Sequence, residues 1–501
     1  MKPSLAQNYT YHLFNQMFTI GMPVLMAPYL ARVLTETGSG LYSYAAAVLS
    51  CFTLFASLGF SNYAQRLVAS HQGDEAQQAR DFWEVFFARL IPAGIVLILY
   101  LVLVGFGAFD AVASGNSGLA GAASAVDSSV ASGLVDAVSS SASAGKTLML
   151  ILAVELAGVS FDLSFFFHGN ENFRTQVLCS VSARAVGIVC IFIFVRTPAD
   201  LNKYALIQVL SLVAGYALMW INLPKYVFGH VEKLQVLRHL RPALLLFLPT
   251  IAMAIYTSLD KVLIGAITHS AAENGNYEYA ERLVKAALTA VTAMGMVAMP
   301  HNSKSFADGD IADVRSAAAK AVRFVLLLGV PLCFGLIAVA DQVVPWYLGD
   351  GFDKAADLMC VLSPIILIIG LSNVFGLQYL VPTHRDKRFA LCVSVGAGVN
   401  FILNLLLIPG LKSLGAAIAT AIAETVVTVS MYLSVRRELP LRTLFTGVWR
   451  YFAAGIVMFV PVYFVSGALP ARIWATAICV VLGALLYFGA LWLFGEFRKD
   501  V

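Results

Sequence analysis

Residues 324–340 read FVLLLGVPLCFGLIAVA, a run without a single charged side chain. At 1.5 Å per residue, such a run is close to the length that a helix needs to cross the hydrocarbon core of a bilayer. About fourteen stretches of this kind follow one another from Phe14 to Phe494. Because backbone polar groups in lipid must be paired within the segment, the sequence predicts an all-α integral membrane protein and excludes a soluble enzyme.

The composition agrees with a membrane protein and excludes several other classes. Of the 501 residues, 59% are hydrophobic and 12% are charged, whereas about 25% of the residues in a typical soluble domain are charged. The seven cysteines fall in or beside apolar stretches and form no CxxC pair, so the sequence indicates neither a disulfide framework nor a zinc site. Without a phosphate-binding glycine loop or a nucleic-acid motif, we expect no metal, no nucleotide cofactor and no nucleic-acid partner.

The basic residues are distributed unequally between the loops. Twenty of the 33 lie on the side of the N-terminus, six lie on the opposite side, and the remaining seven lie within spans. Because cytoplasmic loops carry the excess of Lys and Arg, we predict that both termini are cytoplasmic. The predicted spans are 12–34, 41–62, 82–108, 146–168, 173–195, 202–223, 243–267, 278–300, 320–340, 356–381, 387–408, 413–434, 448–467 and 473–494.

Residues 110–145 differ in composition from the rest of the chain. They are rich in Ser, Ala, Gly and Val and contain no Lys or Arg; the first basic residue after them is Lys146. A segment that lacks aromatic and large aliphatic residues cannot form a packed core. We therefore predict an outward, largely disordered loop, with a tolerated surface insertion as its simplest explanation.

A short motif occurs twice, six spans apart. Residues 40–45 read GLYSYA, and residues 275–280 read GNYEYA. Six is an even number, so the two copies have the same orientation in the membrane, as in transporters built from parallel repeats. We therefore predict two pseudo-symmetric six-helix lobes, at 1–228 and 229–440, followed by two additional helices at 441–501.

Several of these runs resemble one known family. The N-terminal part contains PYLARVL at 28–34, GSGLY at 38–42 and LGF at 58–60, and the C-terminal part contains GAGVNFILN at 396–404 and GAAIAT at 415–420. In this order they resemble the polysaccharide-transporter flippases, the Wzx-type O-antigen and capsule flippases of the multidrug/oligosaccharidyl-lipid/polysaccharide superfamily. The resemblance extends over essentially the whole chain.

The resemblance implies a fold and an activity. The fold would be that of the two-lobed multidrug exporters, and the mechanism would be alternating access. The substrate would be an undecaprenyl-pyrophosphate-linked oligosaccharide, moved from the cytoplasmic to the outer leaflet of the bacterial plasma membrane. Membrane lipids would be partners, and a polysaccharide polymerase is a candidate partner.

Charged residues inside spans are costly and usually face a bundle interior or a water-filled cavity. We predict that Lys261, Arg282, Lys285 and Arg32 line a cationic cavity, since guanidinium and ammonium groups bind phosphate oxygens well. Arg282 and Lys285 are three residues apart and so share a helix face. The alternative is internal pairing, with Asp260 or Glu281 next to a basic neighbour, or snorkelling from the end of a span.

The acidic residues and prolines within spans suggest coupling and movement. Glu155, Glu424 and Asp162 are candidates to bind a coupling Na⁺ or H⁺, and their alternative is a structural hydrogen bond. Asp162 is one turn from the inner edge and could instead cap a helix or pair with Arg174. Pro23 and Pro28 interrupt the first span and are hinge candidates, with a static bend as the alternative.

Two further polar residues, Asn400 and Asn404, are one helical turn apart. They therefore share a helix face, and we expect them to be interhelical hydrogen-bonding residues.

Three other functions remain open on the sequence. A lipid II flippase shares the fourteen-span plan and a cationic cavity. A drug/cation antiporter of the same superfamily would favour an acidic cavity, which the basic seventh and eighth spans oppose. A membrane glycosyltransferase or polymerase needs a catalytic acid on a sizeable outward loop, and the outward loops are short apart from the Ser/Ala/Gly-rich run at 110–145. We therefore assign no catalytic residue and expect a transporter rather than an enzyme.

Overall fold

The computed structural model describes residues 5–109, 145–229, 234–440, 444 and 446–496, and these residues form helices joined by short turns. The predicted disordered loop at 110–145 lies outside the described residues, apart from Gly145. In chain order the helices are α1 Leu5–Ser57, α2 Phe60–Ser70, α3 Glu75–Gly105, α4 145–158, α5 Ser164–Gly169, α6 Phe173–Phe194, α7 Leu201–Ile221, α8 Leu240–Thr268, α9 Ala271–Ala307, α10 Ile311–Leu348, α11 Asp353–Leu362, α12 Ile365–Phe375, α13 Asp386–Leu411, α14 Ser413–Val435, α15 Trp449–Ala468 and α16 Ile473–Leu493.

The chain is a multi-pass membrane protein, as predicted. Within the described residues, 11 helical segments are long and apolar enough to cross a membrane. One of them, Phe14–Ser57, contains two predicted spans in a single long helix. The helices α8 and α9 cover the predicted seventh and eighth spans, although they are not among the 11. The number of fourteen spans stays a prediction.

The first two predicted spans are joined without a loop. Inside α1 the helical backbone is interrupted at Thr35, whose φ is 61° and ψ is 176°. A positive φ is unfavourable for a β-branched residue, so the surrounding structure must hold it there. The Thr35 hydroxyl donates a hydrogen bond of 2.6 Å to the carbonyl of Leu34. The change of direction therefore falls between the two spans.

The two copies of the repeated motif touch each other through their glycines. A Cβ atom on Gly40 would collide with the carbonyl oxygen of Ala271 and would lie 2.6 Å from the amide nitrogen of Gly275. A Cβ atom on Gly275 would in turn collide with the carbonyl oxygen of Glu36. Small residues allow membrane helices to approach this closely. The second half of α1 and the start of α9 therefore cross backbone to backbone.

Aromatic side chains pack α3 against α5 and α7. Phe82 lies edge-on to Phe166, with ring centroids 5.5 Å apart, and Phe86 lies edge-on to Trp220 at 5.2 Å. These edge-to-face contacts add to the burial of the rings. They form part of a hydrophobic core that also includes Leu163 and residues of α2.

The connection between α7 and α8 is fixed to α3. The buried carboxylate of Glu84 accepts a hydrogen bond of 2.8 Å from the backbone amide of Gln235, and its second oxygen lies 2.7 Å from Nε2 of His239. The other ring nitrogen of His239 is 2.7 Å from the hydroxyl of Tyr63. These contacts hold the segment that joins the two predicted lobes against α2 and α3.

Contacts divide the chain into two compact units. Unit 1 consists of Met1–Met26 and Val33–Gly275, and unit 2 consists of Ala27–Arg32 and Asn276–Val501. A short piece of α1 that includes Pro28 therefore belongs to unit 2. This division follows packing, whereas the predicted lobes follow the repeat, so the lobe boundaries stay a prediction.

Candidate functional site: charged residues within the helices

Two ion pairs lie one above the other on α9, within unit 2. Nη2 of Arg282 is 2.5 Å from Oε1 of Glu278, and Nζ of Lys285 is 2.6 Å from Oε1 of Glu281. Both pairs have the i,i+4 spacing at which helical side chains meet. The side chain of Lys285 is 47% exposed, while that of its partner Glu281 is 9% exposed. The cationic groups are thus more accessible than the carboxylates beneath them.

Aromatic rings complete the surroundings of Arg282. Its guanidinium lies 5.3 Å from the ring centroid of Tyr279, a cation–π contact. The ring of Tyr279 packs edge-on against Phe352, with centroids 5.2 Å apart. Tyr347, near the end of α10, interacts electrostatically with Arg282. The guanidinium is therefore held by the carboxylate of Glu278 and by the ring of Tyr279, which Phe352 supports from another part of unit 2.

Arg32 belongs to the same unit and contacts the same end of α10. Its Nη2 donates a hydrogen bond to the carbonyl of Trp346, and its Nη1 donates one of 3.1 Å to the carbonyl of Pro28. α10 ends at Leu348 and is followed by Gly349, whose φ is 93°. Cations are favourable at the C-terminus of a helix because of the helix dipole. The structure thus brings two of the predicted cationic residues, Arg32 and Arg282, to neighbouring residues of one helix end.

The fourth predicted cationic residue, Lys261, lies in unit 1. It is part of α8, and its backbone carbonyl accepts a hydrogen bond of 2.8 Å from the side-chain amide of Asn274. The preceding residue, Asp260, is buried. The anion-binding role of Lys261, Arg282, Lys285 and Arg32 stays a prediction.

The partner of Arg282, Glu278, is not among the residues predicted from the sequence. The internal pairing considered there joins a basic residue to an adjacent acid, and adjacent residues do not meet on a helix. The structure corrects this, because Glu278 and Glu281 precede Arg282 and Lys285 by four residues and pair with them. A Glu four residues before a basic residue is a known signal for such a pair, and it was present in the sequence.

A second charged cluster occurs in unit 1, around a break in the predicted fourth span. α4 ends in the short 3₁₀ turn Val159–Phe161, and α5 begins at Ser164. The buried guanidinium of Arg89 donates hydrogen bonds of 2.7 Å to the carbonyls of Val159 and Asp162. It therefore supplies a donor to the Asp162 carbonyl and a second donor to the Val159 carbonyl, which also accepts the backbone amide of Asp162 at 3.3 Å. Arg89 is not among the predicted site residues, although a basic residue in the third predicted span was itself the signal.

Asp162 fixes the turn that leads into α5, whose N-cap position is occupied by Leu163. Its Oδ1 accepts hydrogen bonds of 2.9 Å from the amide of Ser164 and 2.5 Å from the hydroxyl of the same residue. These bonds form an Asx turn one residue before the N-cap, a local structural role rather than the helix cap proposed as an alternative. The coupling role of Asp162 stays a prediction.

A polar cavity of about 130 Å³ lies beside this break, within unit 1. Asp162 and Arg184 both line it, as do Gln176, Ser180 and Tyr216. Arg184 donates a hydrogen bond of 3.0 Å to the hydroxyl of Thr19. Glu155 interacts electrostatically with Arg184. The structure therefore gathers two of the three coupling candidates, Glu155 and Asp162, around one polar region.

The third coupling candidate, Glu424, is buried in α14 of unit 2. The Asn400 and Asn404 side chains on α13 bond to each other at 3.0 Å, so they do share a face, but this bond lies within one helix rather than between helices. Among the described residues, no cluster of three or more His, Cys, Asp or Glu side chains could hold a metal ion.

The hinge candidates Pro23 and Pro28 both lie inside α1. The non-helical residue of this helix is Thr35, which follows both of them. Their hinge role stays a prediction.

Solved structures show which fold this is. One titled "Lipid II flippase MurJ, inward closed conformation" superposes with a TM-score of 0.73 at 14% identity, covering 98% of this chain and 99% of that one. An inward-facing multidrug resistance MATE family transporter of the MOP superfamily gives a TM-score of 0.59 at 13% identity, covering 83% and 97%. At these identities the similarity shows the fold alone, which is the predicted multidrug-exporter-like fold.

Sequence comparison shows the family. A protein of Escherichia coli (strain K12) named "Putative O-antigen transporter" is 25% identical over 444 residues, which cover 87% of this chain and 98% of that protein. Residues 170–489 match the family model of the lipid II flippase MurJ. Residues 5–306 match that of the polysaccharide biosynthesis protein. With more than half of its length matched, the chain belongs to the polysaccharide biosynthesis protein family, in agreement with the resemblance to Wzx-type flippases.

Proposed function

We propose that this protein is a flippase that moves an undecaprenyl-pyrophosphate-linked oligosaccharide from the cytoplasmic to the outer leaflet of the bacterial plasma membrane. The observation that carries the proposal is the pair of accessible cationic groups, Arg282 and Lys285, on one face of a helix within the predicted membrane region. Placing charged groups inside a membrane costs free energy, so groups at such positions usually mark a substrate path. The E. coli relative, an O-antigen transporter by name, supports the same class of substrate.

The proposed substrate has three parts with different chemistry. Its polyprenyl chain is apolar and can remain in lipid, whereas its sugars and its pyrophosphate must be kept out of the hydrocarbon. Guanidinium and ammonium groups offer the pyrophosphate charge-assisted hydrogen bonds that replace part of its hydration. Alternating access would expose these groups first to the inner and then to the outer side. The protein forms and breaks no covalent bond in this scheme, so it would not be an enzyme.

The proposal includes an energy source, an orientation and a partner. Coupling to H⁺ or Na⁺ would drive transport, with Glu155, Asp162 and Glu424 as the coupling candidates. Both termini would be cytoplasmic. A polysaccharide polymerase would receive the flipped substrate on the outer side.

A double variant tests the proposed role of the cationic groups. In a deletion strain that carries Arg282→Ala/Lys285→Ala, we expect lipid-linked oligosaccharide to accumulate in the cytoplasmic leaflet, whereas the wild-type gene clears it. The measurement is the amount of lipid-linked sugar in each leaflet. The matched control is Lys387→Ala/Arg388→Ala, which removes two exposed basic groups from the first turn of α13. Equal clearance by the double variant and the wild type would contradict the proposal.

A lipid II flippase is the second candidate function. The MurJ family model matches residues 170–489, and this observation favours it. Complementation of a strain depleted of its own lipid II flippase separates the two candidates. Restored growth would favour lipid II as the substrate, and continued lysis together with clearance of lipid-linked oligosaccharide would favour the first candidate.

A further inference from the structure

The polar cavity of unit 1 lies where the fourth predicted span is broken. Irregular backbone at membrane depth is tolerated where it is buried in protein or lines a cavity, and broken helices commonly form the binding sites of transporters. The cavity has a volume of about 130 Å³. Its polar lining comes from the break and from two helices, with Asp162 at the break, Gln176, Ser180 and Arg184 on α6, and Ser211 and Tyr216 on α7.

We propose that this cavity binds one uncharged, hydroxyl-bearing sugar residue of the lipid-linked substrate. The inference rests on the proposed function. It assigns recognition of the sugar to unit 1, at a site other than the predicted cationic residues Arg282 and Lys285 on α9.

The polar groups of the cavity have hydrogen-bonding capacity to offer a ligand. Among the described residues, the Tyr216 hydroxyl has no hydrogen-bonding partner. The Ser180 hydroxyl accepts a bond of 3.3 Å from the Gln176 amide, which leaves its own proton available for donation. Arg184 donates through Nη1, and Asp162 accepts through Oδ1, so each keeps a further polar atom for a ligand. Buried polar groups cost free energy unless they are hydrogen-bonded, and a polar ligand would satisfy these.

The charges around the cavity favour an uncharged ligand. The Tyr216 side chain interacts electrostatically with two acidic residues, Asp162 and Glu155, and with two basic residues, Arg89 and Arg184. The acidic pair opposes an anion, and the basic pair opposes a cation. A sugar hydroxyl both donates and accepts, so it can bond to a carboxylate and a guanidinium at once. Hydrogen bonds to charged groups are stronger than those between neutral groups.

The size of the cavity limits the ligand to a small group. Its volume of about 130 Å³ equals that of about four water molecules in the liquid. A single sugar residue is the most that such a space admits. The polyprenyl chain and the remaining sugars of the substrate would stay outside.

Close helix packing holds the walls of the cavity in place. A Cβ atom on Gly158 would lie 3.6 Å from the Tyr216 ring, so this ring packs on the backbone at the end of α4. A Cβ atom on Gly215 would lie 3.7 Å from the Cα atom of Ser180, so α7 also lies close to α6. Side chains held in this way are arranged before a ligand binds, which reduces the ordering that binding requires.

The position of the cavity agrees with the direction of transport. In the predicted orientation, α6 begins and α7 ends on the cytoplasmic side. Ser180 lies in the first half of α6, and Tyr216 lies in the second half of α7. The cavity is therefore in the cytoplasmic half of unit 1, on the side from which the substrate enters.

Binding measurements on the full chain in detergent test the site. Two probes share a short polyprenyl chain and a pyrophosphate. One carries the sugars of the host's lipid-linked oligosaccharide, and the other is capped with a methyl group, so that both have the same charge. We expect the wild type to bind the sugar-bearing probe about tenfold more tightly or better. Tyr216→Phe and Ser180→Ala should each reduce this preference by about 2- to 10-fold, the effect of one lost hydrogen bond, and leave the affinity for the capped probe unchanged.

Ser182→Ala is the matched control. Ser182 is two residues from Ser180 on α6, is exposed, and lines an apolar groove instead of the polar cavity. Its hydroxyl donates a bond of 2.6 Å to the carbonyl of Leu178 in its own helix. This variant should keep the full preference for the sugar-bearing probe.

The outcomes separate the inference from the proposed function. A wild-type preference that Tyr216→Phe and Ser180→Ala both retain would overturn the inference and leave the flippase intact, because the sugar would then bind elsewhere. Equal affinity of the wild type for both probes, or an equal loss for both probes in the variants, would also overturn the inference alone. A wild-type protein that binds neither probe would count against both.

Discussion

Glu438 follows α14 and is bound by two residues from other parts of unit 2. Oε1 of Glu438 lies 2.7 Å from Nη1 of Arg385, and Oε2 accepts hydrogen bonds from Arg385 Nη2 at 3.0 Å and from the Tyr379 hydroxyl at 2.8 Å. The hydrogen bond from Arg385 lowers the pKa of Glu438 from its ordinary value of 4.5. In turn, Glu438 raises the pKa of Arg385. This bidentate pair ties the loop after α12 to the end of α14.

The pH dependence of stability tests this pair. The pKa of Glu438 is lower in the folded than in the unfolded protein, so its stabilisation is fully present above pH 4.5 and is lost as the pH falls through the folded pKa. We expect Glu438→Gln to lower the melting temperature at pH 7, with a difference from wild type that narrows as the pH falls below 4.5. The measurement is thermal unfolding in detergent across this range. Asp308→Asn, which changes an exposed carboxylate, serves as the control, and a difference that does not vary with pH would contradict the assignment.

At the residue scale, the sequence identified charged positions more reliably than their partners. Lys285, Arg282 and Asp162 were found because charge inside an apolar run is conspicuous. Their partners depend on the position of each residue around the helix and on the direction of its side chain, and the order of residues in the sequence does not give these directly. Arg89 shows the same limit, since its two hydrogen bonds go to carbonyls about 70 residues away in the chain. No local pattern specifies such a contact.

At the element scale, the crossing of α1 and α9 depends on two glycines. A Cβ on Gly40 has no space, because the backbone of Ala271 and Gly275 occupies it. Gly21 lies in the same helix, and a Cβ there would meet nothing within 4 Å. Substitution by alanine should therefore destabilise the protein at Gly40 and leave its stability unchanged or raised at Gly21.

Alanine substitutions at these glycines measure the crossing. Gly40→Ala forces two backbones apart, and overpacking of this kind costs about 1–3 kcal/mol. Gly21→Ala removes a flexible residue from a helix and should be neutral or stabilising by up to about 1 kcal/mol. Thermal unfolding of both variants provides the comparison. Equal melting temperatures would show that α1 and α9 are not in backbone contact in the folded protein.

Helix existence followed from hydropathy, but helix interruption did not. The apolar runs predicted the spans because each run must pair its own backbone groups in lipid. Hydropathy contains no information on backbone angles. It therefore predicted a loop between the first two spans, where the structure has a single residue, Thr35, with non-helical angles. It also missed the break at Val159–Phe161, where Arg89 donates to the carbonyl of Val159 and the indole of Trp220 donates to the carbonyl of Phe161. Those donors come from α3 and α7, so the packing of neighbouring helices stabilises the break.

At the scale of the whole molecule, the unequal distribution of basic residues predicts the orientation. Twenty basic residues on the side of the N-terminus oppose six on the other side, and this excess predicts that both termini are cytoplasmic. In this orientation α10, the ninth predicted span, runs outward. Its C-terminus, where Arg32 and Arg282 meet Trp346 and Tyr347, then lies toward the outer leaflet. Orientation therefore decides whether this cationic end of unit 2 belongs to the entry or to the release side.

Epitope tags in intact spheroplasts test this orientation. A tag at the C-terminus should bind antibody only after permeabilisation, because the excess of basic loops holds that side in the cytoplasm. A tag inserted after Asp127 should bind without permeabilisation, since 110–145 is predicted to face outward. A tagged chain that still clears lipid-linked oligosaccharide serves as the control for correct insertion. The reverse pattern of accessibility would place the Arg32 and Arg282 end of α10 at the cytoplasmic face, where it would meet the substrate first rather than release it.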